Sequence, residues 1–391
     1  MILLTSNPSF AHGGSAEEFL FPAFFYSLYS FIAFFRGHDL KRKTLFANGL
    51  MAGLVLVTKF NLLGFWFAWM MLVFFRLCFQ KKWMEGIIAC FIFLGGMILP
   101  LTCFAVYFLM VGALSEFVDG YFLFNIGSYT NASEKVTLSS RFAAIYKAMQ
   151  ASFLERKWIS TFMLAGLFLL LLCHPLLGFC VMVLFAFTCL GVYFGGTNYH
   201  YYFLFPSLFS IFACMSVFST IDWMLRKIRI VPESARQSIY SVMLIAAFGW
   251  GLYESPNAFS ETFMMPREDR WYSKMIDYMD QYESEKVLNF RSLDSGIYNY
   301  MDQTPFMRYF MRQNVKYERY PDILDSQWEA IEQGIPDFLV CVYQLSVKDH
   351  LPSDEDEHLK GRYTKVMEII QDKGVYALYQ RNDLQPKEQG G

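Results

Sequence analysis

The sequence predicts an all-α polytopic membrane domain of about eight spans over residues 1–253, followed by a small α/β domain over 254–391. Three observations predict it. The chain of 391 residues is 55% hydrophobic and 17% charged, whereas a soluble domain carries about a quarter charged residues. Its apolar residues are gathered into runs long enough, or nearly long enough, to cross a bilayer. Charge is also divided: residues 1–253 hold 17 Lys and Arg against 10 Asp and Glu, and residues 254–391 hold 16 against 25. A cytosolic enzyme fits that composition poorly.

The apolar runs are 19–35, 45–57, 61–79, 86–110, 159–173, 176–194, 200–221 and 239–253. Only Thr58-Lys59-Phe60 separates the second run from the third. That break allows a tight hairpin, a re-entrant pair or one helix interrupted at depth, and the hairpin is preferred. Gly95-Gly96 and Pro100 interrupt the fourth run and predict a bend there.

Orientation follows from the loops. The segments 36–43, 80–85 and 222–238 carry the basic excess and fall on one side if the spans alternate. By the positive-inside rule, the N-terminus, the 111–158 loop and the tail then face away from the cytoplasm of a multi-pass plasma-membrane protein. The spans offer no mid-membrane carboxylate or His, which argues against an ion-coupled transporter. No signal peptide is read at Met1–Leu4, which lacks a charged n-region. Seven of the eight cysteines lie in or beside apolar runs without ligand spacing, so they read as small packing residues.

In the outward loop, Phe142, Ile145, Met149 and Phe153 recur at helical spacing and predict a surface helix over 138–154. Asn131-Ala132-Ser133 matches the glycosylation sequon and carries no functional weight here. In the tail, Trp271, Met275, Tyr278, Met279 and Tyr282 mark one face of a helix that begins near Arg267. Strands are expected at 287–290, 315–320 and 337–343, with a hairpin of 363–370 and 375–380 about Asp372-Lys373-Gly374. Ser326-Gln327-Trp328-Glu329 reads as a capping box opening a short helix that Gly334 closes. The tail holds no nucleophile elbow, P-loop or dinucleotide fingerprint.

Four outward constellations can carry chemistry. Glu17 and Glu18 follow the flexible turn His12–Ala16; they could act as a base, hold a divalent cation or orient sugar hydroxyls, or simply favour a helix N-terminus through its dipole. Lys59 is one cation in an otherwise apolar hairpin, suited to the phosphate of a lipid-linked substrate or to snorkelling at the interface. His200, Tyr201 and Tyr202, ahead of Pro206, could line a sugar or phosphate pocket, and a plain aromatic belt explains all but His200. Arg308, within Pro305–Phe310, could meet a phosphate, although docking of that segment on the membrane domain is the preferred reading.

Taken in order, the GGSAEE turn, the hairpin Lys59, the HYY motif with Pro206, the PFMRYF segment and the final VYALY hairpin strand resemble the C-terminal portion of bacterial GT-C glycosyltransferases. The resemblance is to the family 39 branch of protein mannosyltransferases and lipid A aminoarabinose transferases. It implies sugar transfer from a polyprenyl-phosphate donor to a cell-envelope acceptor on the outer membrane face. In that frame Glu17 and Glu18 would be the catalytic or cation-binding carboxylates, with Lys59, His200, Tyr201, Tyr202 and Arg308 binding substrate. The partners implied are the lipid-linked donor and membrane lipids, and no nucleic acid. The family's catalytic acid sits in the first outward loop, and this chain opens beyond that point. The expectation is therefore the C-terminal portion of such an enzyme, or a reduced homologue acting without catalysis in envelope assembly.

Overall fold

The computed structural model describes residues 16–128, 137–227, 232–253, 265–283, 286–290, 296–311, 317, 320–344, 358–359, 361–371 and 374–387. By its internal contacts the chain divides into Met1–Phe259 and Ser260–Gly391.

In the first unit each apolar run coincides with a helix. A single turn, Ala16–Phe19, leads into α1 (Phe21–Phe35), then α2 (Arg42–Lys59), α3 (Leu63–Phe79) and α4 (Trp83–Met110). The predicted surface helix is α5 (Leu138–Glu155), capped by Thr137, whose side chain accepts from the Ser140 amide. It is followed by α6 (Lys157–Cys173), α7 (Pro175–Val192), α8 (Ile211–Lys227) and α9 (Glu233–Tyr253). The chain enters α8 through short turns over 200–210.

Lys59 leaves helical geometry, at φ −156° and ψ 79°, and the chain reverses there. Two sets of contacts establish the reversal. Along α1, Ser30 meets Asn48 of α2 while Glu17 meets Lys59, so these two helices are antiparallel. Along the same helix, Phe24 meets Phe65, Ser27 meets Trp66 and Trp69, and the Phe35 carbonyl meets Arg76, so α1 and α3 are parallel. Helix α4 gives the same answer, because Gly49 and Gly53 of α2 face Phe93 and Met97 in parallel order, while Trp69 and Phe74 of α3 face Phe93 and Gly86 in antiparallel order. Residues 42–79 are therefore a hairpin, which was the preferred reading.

Glycine sets the closeness of these crossings. A side chain at Gly49 would run into the Phe93 carbonyl, and one at Gly96 into the Phe46 carbonyl. Gly64 and Gly191 likewise bring α3 against α7. Such backbone approach is how helices pack where apolar side chains meet equally apolar lipid. Polar groups inside the bundle are satisfied locally: Trp66 Nε1 donates to Ser27 Oγ and Trp69 Nε1 to the Ser27 carbonyl, each at 2.9 Å. Helix α4 runs through Gly95, Gly96 and Pro100 as one 28-residue element.

Helix length and apolarity together support four or five spans. Among the described residues, four helical stretches are long and apolar enough by length and composition to cross a membrane: Arg42–Phe79, which is the α2–α3 hairpin of 18 and 17 residues, Trp83–Met110, Pro175–Val192 and Tyr201–Leu225. A fifth is obtained if Ser139–Glu155 and Lys157–Cys173, bent by 107°, count as one. Helix α1, with 15 residues, reaches about 22 Å at 1.5 Å per residue, short of the roughly 30 Å hydrocarbon core.

The second unit is a four-stranded sheet in the order β1-β2-β4-β3, with β1 (Val287–Asn289) parallel to β2 (Phe338–Gln344) and the other neighbours antiparallel. Alternation along β2 sends Phe338 and Val340 to one face, against Trp271, Met275 and Met279 of α10 (Trp271–Met279). Leu339 and Cys341 go to the other face, against Phe290, Ile331 and Tyr363. Strands β3 (Tyr363–Gln371) and β4 (Gly374–Arg381) are the expected hairpin. A short helix, α11 (Ile297–Met301), precedes the Pro305–Phe310 segment, whose Phe306 and Met307 pack on the second face of the sheet.

One reading of the tail is corrected. Ser326 does not open a helix: α12 (Asp322–Glu332) starts four residues earlier, with Asp322 and Asp325 in its first turn, and Ser326 Oγ donates back to the Asp322 carbonyl. Gly334, at φ +67°, does follow its end. The strand expected at 315–320 falls mostly outside the described residues, and Tyr317 is in a 3-10 turn. The sequon at Asn131 also lies outside them.

Candidate functional site

The reversal at Lys59 places its ammonium at the end of the bundle opposite the basic loops, because α2 begins at Arg42 and ends at Lys59. There it forms an ion pair with Glu17 of the Ala16–Phe19 turn, in which the Lys59 side chain is 20% exposed and the Glu17 side chain 1%. The aromatic segment 199–203 closes over the pair. Lys59 Nζ lies 4.2 Å from the centre of the Tyr201 ring and 5.1 Å from that of Tyr202. A desolvated ammonium is attracted to such ring faces.

The tyrosine segment is held in place from behind. Tyr199 and Tyr201 stack at 5.6 Å, and the Tyr193 hydroxyl donates to Ser152 Oγ of α5 at 2.8 Å. Asn198 Nδ2 donates to Glu155 Oε1 at 3.0 Å. Surface helix α5 thus fixes the turn that carries Tyr201 and Tyr202.

A cavity of about 380 Å³ opens beside Lys59, lined by Ala16, Thr58, Lys59, Phe60, Asn61, Tyr121, Asn125, Phe194, Gly195, Tyr201 and Tyr202. Its far wall is the wide helix Val118–Ser128. From it the Tyr121 hydroxyl donates to the Leu56 carbonyl at 2.7 Å, and Asn125 Nδ2 donates to the Tyr121 carbonyl at 2.7 Å. Burial pushes the Tyr121 phenol up to about 12, so it stays a neutral donor at physiological pH.

Four residues singled out from the sequence, Glu17, Lys59, Tyr201 and Tyr202, are thereby brought together from three separate segments. Glu18 is half-buried in the same turn as Glu17. His200 begins the 3-10 turn His200–Phe203, and its side chain lies outside what the structure describes. Arg308 belongs to the second unit, where it is exposed with its guanidinium 5.4 Å from the Tyr309 ring.

Sequence reasoning missed three things here. It treated Lys59 as an uncompensated cation, and it did not single out Tyr121 or Asn125. The i, i+4 pair of polar groups in the run Val118–Ser128 was the only available signal for the latter two. Chemically, the site offers an ammonium with donors beyond the one given to Glu17. Glu17 Oε2 is buried and has no hydrogen-bond partner among the described residues. Five aromatic side chains, Phe60, Tyr121, Phe194, Tyr201 and Tyr202, and the two side-chain amides of Asn61 and Asn125 also line the cavity. Among the described residues no group of three or more His, Cys, Asp or Glu is placed to hold a metal ion. A divalent cation at Glu17 and Glu18 would have to compete with Lys59 for the first carboxylate.

Comparison of the chain with protein-family models, with curated proteins and with solved structures finds no match.

Proposed function

We propose that this chain is a membrane glycosyltransferase, or the C-terminal portion of one, that handles a polyprenyl-phosphate-linked sugar on the outer face of the cytoplasmic membrane. The observation that carries the reading is the convergence of Lys59, Tyr201 and Tyr202 on one cavity at the end of the bundle away from the basic loops, with Glu17 paired to the Lys59 ammonium. Aromatic faces beside amides suit a sugar ring with its hydroxyls, and an ammonium suits its phosphate. The cavity's size falls within the ordinary range for small-ligand sites. The basic loops at the other end support, through the positive-inside rule, an outward orientation for this cavity. On this reading all eight helices that follow the apolar runs cross or enter the bilayer, the short ones by local thinning.

Binding of a polyprenyl phosphate to the chain in nanodiscs tests the reading. Lys59→Ala removes about 1.5–3 kcal/mol of charge-assisted bonding, a tenfold to hundredfold loss of affinity. Tyr201→Ala and His200→Ala weaken binding without unfolding the protein. Equal affinity for wild type and all three variants overturns the site. A donor-dependent transfer assay on membranes then separates catalysis from binding.

One observation favours a second reading. Glu17 already neutralises Lys59, as in a purely structural clip, which suits a non-catalytic polytopic protein with a folded outward domain acting in envelope assembly. That reading expects tolerance of Tyr201→Ala and no retention of the lipid.

A further inference from the structure

The opposite end of the helical unit holds a second cavity, of about 490 Å³, between the loop after α1 and the α3–α4 turn. With 18 residues in α2, it lies about 25 Å along the bundle from the Lys59 cavity at 1.5 Å per residue. Its floor is apolar, formed by Leu45, Leu77 and Ala89, and its rim is charged. Arg42 and Arg76 line it, and neither has an ion-pair partner among the described residues. Arg76 Nη1 donates to the Phe35 carbonyl at 3.0 Å, and its guanidinium lies 4.6 Å from the Phe35 ring and 5.1 Å from that of Phe34. That fixes the plane of the guanidinium at the cavity wall.

The rim also contains Lys82, paired with Glu85 at 3.4 Å, together with His38 and Asp39. Including Arg36, Lys41, Lys43 and Lys81 nearby in the two loops, cations far outnumber the two carboxylates.

A second observation points the same way. Helix α2 starts at this rim with no side-chain cap and no acidic residue in its first turn. The amides of Thr44 and Leu45 bond the Lys41 carbonyl, whereas those of Arg42 and Lys43 have no partner among the described residues. An uncapped helix N-terminus beside two guanidinium groups is a concentrated demand for an anion. Planar guanidinium groups match phosphate oxygens in pairs. The apolar floor below that rim suits the glycerol and upper acyl portion of a lipid.

We propose that this cavity binds the phosphate headgroup of an anionic phospholipid of the leaflet next to the basic loops. The negative surface potential of such a leaflet favours the same end of the molecule. The proposal does not depend on the activity assigned to the Lys59 cavity.

The test is native mass spectrometry of the full chain released from micelles containing phosphatidylglycerol or phosphatidylcholine of equal chain length. Phosphatidylglycerol is expected to be retained about tenfold over phosphatidylcholine. Arg42→Gln and Arg76→Gln should each cut that preference about three- to tenfold, as loss of one charge-assisted contact implies. Arg76→Lys should restore only part, since an ammonium lacks the fork. Arg42 is exposed, so Arg42→Gln keeps the fold and decides the matter alone if Arg76→Gln does not. Equal retention of the two lipids, or unchanged preference in Arg42→Gln, overturns the proposal. Complete displacement of phosphatidylglycerol by millimolar inorganic phosphate overturns it as well, marking a site for a soluble phosphate.

Discussion

Glu17 and Lys59 make the sharpest test of the site, because their coupling predicts both a stability cycle and the sign of a binding change. Lys59→Met leaves a carboxylate that is 1% exposed beside no cation. Breaking a buried pair from one side costs about 3–5 kcal/mol. Lys59 itself is 20% exposed, so water reaches the pair and the expected loss falls to about 2–4 kcal/mol. Glu17→Gln leaves an ammonium that can turn toward solvent and costs less, about 1–2 kcal/mol. The double variant, with no charge left to strand, should lose less than the sum, by a coupling of about 1–3 kcal/mol. Equilibrium unfolding of the full chain in mixed micelles measures all four corners of the cycle. Additivity within about 0.5 kcal/mol would refute the pair. In the binding arm, Glu17→Gln frees the ammonium from its internal competitor and should tighten polyprenyl-phosphate binding several-fold, while Lys59→Met weakens it. A loss of affinity in both would refute Lys59 as the phosphate ligand and leave the pair a structural clip.

Three further outcomes are expected. A reporter fused after Tyr253 should be active only outside the cytoplasm and one after Lys82 only inside; the reverse would invert the bundle and both cavity assignments. Gly49→Val should cost about 1–3 kcal/mol by forcing α2 off the Phe93 carbonyl, whereas Gly95→Ala, with nothing within 4 Å of the added carbon, should be neutral or stabilising by up to about 1 kcal/mol; thermal unfolding in micelles compares them. In the tail domain, the bond from Arg381 Nε to Asp383 Oδ1, 2.5 Å, holds the Asp383 carboxyl below its ordinary value. That contribution is present above the unfolded value near 3.9 and fades as pH falls through the depressed folded value, so Arg381→Gln should raise the pH of acid unfolding slightly.

The helical plan was legible because each bundle helix is apolar enough to read as a run, and because Thr58-Lys59-Phe60 breaks the pattern where the chain reverses. What each run could span was less legible, since apolarity says nothing of helix length or of a 107° bend between α5 and α6. The site residues were found through chemistry that stood out locally: a lone cation, adjacent carboxylates and a tyrosine cluster. Their pairing was not, because Glu17 and Lys59 are 42 positions apart and no local pattern encodes the contact. Ser326 shows the opposite failure, in which a genuine S-x-x-E spacing sat inside a helix already begun at Asp322. In the tail, the continuous apolar run Phe338–Cys341 was legible as a strand, whereas the two apolar layers that its faces meet were not.

The glycine crossings determine how a ligand would be received. Gly49 and Gly96 lock α2 to α4, and Gly64 and Gly191 lock α3 to α7, all through contact with backbone that cannot yield. The two helices that meet at Lys59 are therefore each bolted to a neighbour before anything enters the cavity. Adaptation is left to side chains, chiefly Tyr121, Tyr201 and Tyr202. Ordering such a side chain costs about 0.5–1.5 kcal/mol, far less than ordering a loop. An occupant should therefore dock with a small entropic penalty and a fast, single-step association, and poor ligands should be rejected by shape instead of being accommodated by movement of the helices.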